Sequence, residues 1–238
     1  MLMNTTGLTI SNTVFPPSIP QSRPRSGSGL DDYFARGTVR GIEAKEHVFT
    51  EGDPKANIYK ILSGAVCLYN VLPDGRRQVI DFAYAGDTIG LGMADVETLN
   101  AQATVPTRVK CLPVGSLQSL ADANPQFAFT LYQALSNELT SLRDHIVCVG
   151  QRSAVERLAG FLLTLSRRNA RRGTDPLEIE LPMTRTDIGD FLGLTIETVS
   201  RTFTRLKTMG LIEIDQGTTI RVLDIVRLES LSEGESCA

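Results

Sequence analysis

The stretch TRTDIGDFLGLTIETVSRTFTRLKT, residues 184–208, decides the fold. In its first half Ile188, Phe191 and Leu192 are spaced for one face of a short helix over Arg185–Leu192. Gly189 removes a side chain where a second helix can approach. Gly193 follows where the chain must turn, because glycine tolerates left-handed backbone. Thr195 is placed to cap a second helix by accepting a backbone N–H. On that helix Val199, Phe203 and Leu206 face a core. Glu197, Ser200, Arg201 and Thr204 stand at i, i+3, i+4 and i+7 and share the opposite face. This is the pattern of a helix-turn-helix, in which one helix positions a second whose polar face can enter the major groove of DNA.

Each polar residue has two readings. Glu197 either complements the positive helix N-terminus or accepts from a cytosine N4 amine. Arg201 is either a surface arginine paired with Glu197 at i+4 or a bidentate donor to guanine O6 and N7. The pattern favours base readout for Glu197, Ser200 and Arg201. It favours phosphate contacts for Thr184, Arg185, Thr195 and Thr198, which lie near helix ends.

The flanks agree. GLIEIDQGTTIRVLD, residues 210–224, reads as two short alternating strands around Gln216-Gly217, a wing. Its Arg221 reads equally well as a phosphate contact or a plain surface residue. Upstream, LEIELP is a short strand, NARRGTDP a loop, and 153–168 a helix burying Val155, Leu158, Ala159, Leu162, Leu163 and Leu165. Further back, Ala128, Tyr132, Leu135, Leu139, Leu142, Ile146 and Val149 are spaced alternately four and three apart. That heptad seam wants a partner helix, and the simplest partner is its own copy in a dimer, although packing on the chain's own barrel is the alternative.

Before Pro125 the period changes. VFTEGD, IYKILSGAVCLYNV, RQVIDFAYAGD and RVKCLPV read as short strands, punctuated by Gly52, Gly64, Gly75 and Gly86. Asp74-Gly75 signals a hairpin with a type I′ turn, and the regular turns predict a small β-sandwich or β-roll. In residues 16–29, 10 of 14 positions are Pro, Ser or Gly, a composition that reads as a disordered leader. The domain reading is therefore a tail over 1–29, a β-roll over 30–124 and a dimerisation helix over 125–150. A winged helix-turn-helix over 151–229 and a tail over 230–238 complete it. The fold class is α+β.

Composition bounds the function. The chain has 238 residues and a net charge of -3, but residues 152–207 hold 10 basic and 7 acidic side chains, a mildly basic segment in an acidic chain. The 4 cysteines are scattered and only His47 and His145 are histidines. That excludes a zinc knuckle and weakens a metal-dependent enzyme on the barrel, whose site needs clustered histidines; the chain reads as no enzyme. A winged helix can instead bind protein, but such a domain does not require Glu197, Ser200 and Arg201 on one exposed face. No signal peptide and no spanning segment is legible, so the expected location is cytoplasmic, away from membranes.

LPMTRTDIGDFLGLTIETVSRTFTRLKTMGLIE resembles the winged helix-turn-helix of the CRP/FNR transcription regulators, and the E-x-x-S-R form of Glu197, Ser200 and Arg201 resembles the FNR and FixK branch. FTEGDPKANIYKILSGAVCLY and AYAGDTIG are similar to the family's cyclic-nucleotide-binding-type β-roll. The resemblance covers residues 30–228. It implies a homodimeric activator that reads TTGA-type inverted repeats in double-stranded DNA and serves microaerobic or anaerobic respiration or nitrogen fixation. It also implies a contact with RNA polymerase through barrel loops such as 92–98. Cyclic-AMP-binding members carry a Glu after the AGDxxG turn and an Arg-Ser pair in the phosphate cassette; here Leu91 and Leu99-Asn100 stand there. Oxygen-sensing members carry an N-terminal cysteine cluster; here Cys111 matches the barrel cysteine but residues 1–66 contain none. The expectation is no cyclic nucleotide, no iron–sulfur cluster and no metal. His47 and His145 are the candidates for a haem ligand, with surface, core or dimer-surface roles as the alternatives. The other reading is a regulator of the same fold gated by an unidentified barrel effector or by oxidation, for which Cys148 beside the seam is the candidate.

Overall fold

Two glycine-punctuated sheets form the N-terminal half of the computed structural model, which describes residues 33–34, 37–92, 94–215 and 218–234. The side chains of Asn137, Ser141, Asp144, Val147, Cys148 and Gln151 are not described. Eight strands run as β1 (Thr38–Ile42), β2 (His47–Phe49), β3 (Asn57–Ser63), β4 (Ala65–Val71), β5 (Arg77–Tyr84), β6 (Thr88–Ile89), β7 (Asn100–Ala103) and β8 (Thr107–Pro113). They make two antiparallel sheets, ordered β1-β8-β3-β6 and β2-β7-β4-β5. Ile42, Val48, Phe49, Ile61, Val66, Ala83 and Val109 fill the space between them.

The β4–β5 connection is a hairpin of a different kind from the type I′ turn that Asp74-Gly75 suggests. The Gly75 N–H donates to Leu72 O at 2.8 Å and the Leu72 N–H to Arg76 O at 2.8 Å, so three residues make the loop. Pro73 is the reason. Its fixed φ suits the second position of a type I turn, and Gly75, at φ 82°, follows as the left-handed residue.

β4 is buried on both faces. Val66 and Leu68 point into the barrel, while Ala65 and Cys67 point out of it, into an apolar cluster shared with the C-terminal half. On β5 the register slips between Leu68↔Asp81 and Tyr69↔Val79. That bulge turns Val79 and Phe82 to the same outer face, where strict alternation would oppose them.

α1 (Gly115–Ala123) and α2 (Pro125–Gln151) lead away from the barrel. Asn124 separates them by capping α2, accepting from the Gln126 N–H at 3.0 Å. α3 (Ala154–Arg172) opens on a Ser153/Glu156 capping box. It runs through the segment expected to be a loop from 169, because nothing in Asn169-Ala170-Arg171-Arg172 breaks a helix, and stops at left-handed Gly173. β9 (Glu178–Glu180), α4 (Arg185–Leu192), α5 (Ile196–Thr208), β10 (Ile212–Asp215) and β11 (Thr219–Val222) follow, with the sheet ordered β10-β11-β9. α6 (Ile225–Ser232), capped by Asp224, carries helix into the segment expected to be a tail from 230; eight residues give too few turns for a sequence period to register. The leader, 1–29, and the Gln216-Gly217 turn lie outside the described residues. Among the described residues no helix is long and apolar enough to cross a membrane.

Candidate DNA interface

The surface builds up from two caps and a close approach. At the start of α4 the Asp187 N–H donates to Thr184 Oγ1 at 3.1 Å, and the Thr184 N–H donates to Asp187 Oδ2 at 2.9 Å. α4 ends at Gly193, φ 65°. A Cβ on Gly189 would sit 2.7 Å from Leu194 O, so this glycine is what lets the turn fold back against α4. Thr195 caps α5, accepting from the Thr198 N–H at 3.2 Å, and its hydroxyl meets that of Thr198 at 3.0 Å.

α5 divides as its spacing suggests. Val199, Phe203 and Leu206 are buried. Glu197, Ser200, Arg201 and Thr204 are exposed on the other face. The Glu197 carboxyl is held below its usual pKa by its own backbone N–H first, then by the Thr195 hydroxyl and by Arg201. The helix N-terminus and Arg201 thus act on it together, leaving a carboxylate beside a guanidinium on an open helix face. That pair has the chemistry to accept from one base and donate to another.

The other polar residues divide. Thr184, Thr195 and Thr198 sit at the helix starts, Thr184 and Thr195 exposed and Thr198 half-buried, and their hydroxyls already serve the caps. Arg185 is half-buried, with its guanidinium over the Phe203 ring, 3.4 Å from the centroid. Desolvation lowers its pKa. It braces α4 on α5, a role its position at a helix start did not suggest. Arg221 is exposed in the wing, opposite Glu178 on one side and Glu213 on the other.

On α2 the seam is open. Tyr132 is 66%, Leu139 50% and Ile146 69% exposed, and Leu135 is exposed beside them. Phe129, which the heptad count passed over in favour of Ala128, joins them, one turn before Tyr132. Leu142 and Val149 are half-buried. His145 is half-buried: its ring stacks on Phe191 of α4, centroids 4.1 Å apart, and burial lowers its pKa. The other histidine, His47, shares a 2.9 Å hydrogen bond with the Tyr69 hydroxyl.

No local pattern announces the contacts between barrel and helix-turn-helix. Arg77, at the start of β5, donates to Asp187 Oδ1 at 2.6 Å, and its other terminal nitrogen donates to Cys67 Sγ at 3.0 Å. Gln78 donates to Asp190 O at 2.9 Å. Further along β5, Phe82 of the barrel packs on Phe161 and Phe191.

The barrel residues at the positions of the family's phosphate cassette are apolar or already paired. Leu91 packs with Phe34, Ile58, Leu112 and Phe127, and Leu99 packs on the barrel core. Asn100 accepts from the Glu51 N–H at 3.2 Å. The nearby cation, Lys55, is buried with Glu97 at 3.4 Å. The family's arginine counter-charge has no substitute in that set. Cys67 faces out of the barrel and Cys111 into it. Among the described residues no group of three His, Cys, Asp or Glu side chains is placed to hold a metal ion.

Comparison with known proteins places this geometry. Residues 156–231 match the Crp-like helix-turn-helix domain and residues 39–124 the cyclic nucleotide-binding domain. The chain is 40% identical to the nitrogen fixation regulation protein FixK of Bradyrhizobium diazoefficiens over 188 residues, 79% of this chain and 78% of that protein. It is 34% identical to the transcriptional activator protein anr of Pseudomonas aeruginosa, over 87% of this chain and 84% of that one. Its fold superimposes on the structure of FixK2 from Bradyrhizobium japonicum with a TM-score of 0.78 at 35% identity, covering 85% of this chain and 98% of that one.

Proposed function

The chain belongs to the CRP/FNR family of DNA-binding transcription regulators, on its FixK-like branch, and from that premise we propose how it works. It acts as a homodimeric activator whose two α5 helices read the half-sites of a TTGA-type inverted repeat. Glu197, Ser200 and Arg201 contact base edges. Thr184, Thr195 and Thr198 steady the phosphates, and Arg185 holds α4 and α5 together. The observation that carries this reading is the exposed Glu197, Ser200, Arg201 and Thr204 stripe on a helix whose opposite face is buried.

The exposed Tyr132, Leu135, Leu139 and Ile146 support dimerisation through α2. The name of FixK, a nitrogen fixation regulation protein, supports a role in nitrogen fixation, and that of anr, a transcriptional activator protein, supports activation; the roles in microaerobic or anaerobic respiration and the cytoplasmic location rest on the family resemblance. The 92–98 loop supports a polymerase contact: its backbone is pinned by Lys55 N–H to Asp95 O at 2.9 Å, and Asp95 and Val96 face solvent. The apolar filling at Leu91 and Leu99 supports action without cyclic nucleotide, and the opposed directions of Cys67 and Cys111 support action without an iron–sulfur cluster.

Fluorescence anisotropy tests this. A labelled palindrome of two TTGA half-sites is titrated with protein in air, without additives, against a scrambled duplex at fixed salt. Tight binding to the palindrome alone is expected. Equal, weak binding to both duplexes refutes effector-free readout and turns attention to a barrel ligand.

A further inference from the structure

The two ends of β5 carry ion pairs of opposite polarity across the same junction. At its start, Arg77 of the barrel meets Asp187 of α4 at 2.6 Å, with Asp190 at 3.9 Å. Just beyond its end, Arg168 of α3 meets Asp87 of the barrel and lies over the Tyr84 ring, 4.4 Å from its centroid. Arg77 and Tyr84 are a strand length apart, roughly 20 Å. Between the two pairs lies the Phe82, Phe161 and Phe191 contact. One attachment point allows rocking; two, this far apart, fix an orientation.

Asp187 is the residue through which that orientation reaches the DNA surface. Its carboxylate accepts from the Thr184 N–H and hydroxyl, closing the cap of α4, and it accepts from Arg77 as well. α4 in turn holds α5 at the Gly189 to Leu194 approach. We infer that Arg77 is a positioning residue for DNA recognition: by holding Asp187 it sets the angle of the helix-turn-helix on the barrel, and so the spacing between half-sites that the dimer accepts. This rests on the dimeric, palindrome-reading function proposed above. A change of one base pair between half-sites demands a shift of about 3.4 Å and a turn of about 35° from one recognition helix relative to the other. A helix-turn-helix pinned at both ends of β5 resists that turn; one released at Arg77 keeps only the uncharged Gln78–Asp190 O hydrogen bond at that end and can rock about the Arg168–Asp87 pair.

The neighbouring arginine supplies the control. Arg76 carries the same charge at the same hairpin, is largely exposed, and pairs only with Asp74 in its own turn among the contacts described. Cys67 supplies a reporter that needs no DNA. It is fully buried beneath Arg77, facing the C-terminal half, and burial pushes its thiol pKa up to about 12.

The test measures affinity for palindromes of the optimal spacing and of one base pair more or less, for wild type, Arg77→Ala, Arg77→Lys and Arg76→Ala, with thermal melts to establish folding. Wild type and Arg76→Ala are expected to lose about tenfold or more per base pair of misfit, Arg77→Ala to lose at most about threefold, and Arg77→Lys to fall between. In parallel, all variants are treated with a neutral maleimide and the labelled peptides are mapped by mass spectrometry. Cys67 is expected to label about tenfold faster in Arg77→Ala than in wild type. An Arg77→Ala protein that keeps the wild-type spacing profile overturns the inference. So does unchanged Cys67 protection, which decides the matter even if wild type proves to bind no palindrome, the result that refutes the proposed function instead.

Discussion

Two glycine-to-alanine substitutions, each inside a helix, are expected to move stability in opposite directions. In a helix interior the change gains about 1 kcal/mol from propensity alone. At Gly160, in the middle of α3, the new methyl meets only the tip of the Arg152 side chain, at 3.3 Å, which can swing aside. Gly160→Ala therefore keeps the gain. At Gly189 the methyl lies 2.7 Å from Leu194 O, a backbone atom held by the left-handed turn at Gly193. An unstrained carbon–oxygen contact is about 3.3 Å, so the turn must retreat by about 0.6 Å. Overpacking of this kind costs about 1–3 kcal/mol, and a backbone neighbour puts it at the upper end, so the net loss is about 2 kcal/mol. For a chain of this length 1 kcal/mol moves Tm by about 2–4 °C. Thermal unfolding followed by circular dichroism should then show Gly160→Ala melting about 2–4 °C higher than wild type and Gly189→Ala about 4–8 °C lower. Only the second should lose affinity for the palindrome. A Gly189→Ala protein with wild-type Tm and wild-type DNA affinity refutes the claim that close approach at this residue sets the recognition helix.

Arg201→Ala should lose about 1–3 kcal/mol per half-site against the specific duplex while non-specific binding persists, read as a collapse of the specific-to-scrambled affinity ratio; an unchanged ratio removes Arg201 from base readout. Leu139→Glu replaces a half-exposed seam residue. Losing its burial on both chains costs about 2 kcal/mol before any charge penalty, so sedimentation velocity should give a dimer weakened by at least about thirtyfold. Asp81→Asn should stabilise the protein at pH 7.5 and not at pH 4. Burial chiefly raises the Asp81 pKa, to about 6, so the folded state favours the neutral acid and stability falls as pH rises from about 4 to about 6. An amide removes that penalty, and urea titrations at the two pH values check the sign.

The helix-turn-helix was legible because everything that defines it is local. Thr184, Gly189, Gly193, Thr195 and the α5 stripe fall within a short run, where caps, turn and helical period can be read together. The exposed apolar stripe of Tyr132, Leu135, Leu139 and Ile146 was legible for the same reason; Phe129, which lies off a strict heptad, and the half-burial of Leu142 and Val149 were not. The end of α3 was misplaced because four ordinary helix formers lie between the last apolar residue and the true stop, Gly173. The β4–β5 hairpin was expected correctly but its turn was not, since Pro73 overrides the preference of Asp74-Gly75.

By itself the sequence determined the order of β-roll and helix-turn-helix, the polar face of α5 and an apolar stripe on α2, all consequences of short-range periodicity and turn chemistry. Only the tertiary structure decided what β4 and β5 are for. A continuous apolar run such as Ala65-Val66-Cys67-Leu68 declares burial on both faces without saying against what; the fold gives one face to the barrel and the other to the DNA-binding half. It also decided that Arg77 serves Asp187, that Arg185 stacks on Phe203 and that His145 lies against Phe191. The physical reason is the same in each case. An arginine or a histidine is compatible with many partners, and which one it meets depends on the packing of elements far apart in the chain.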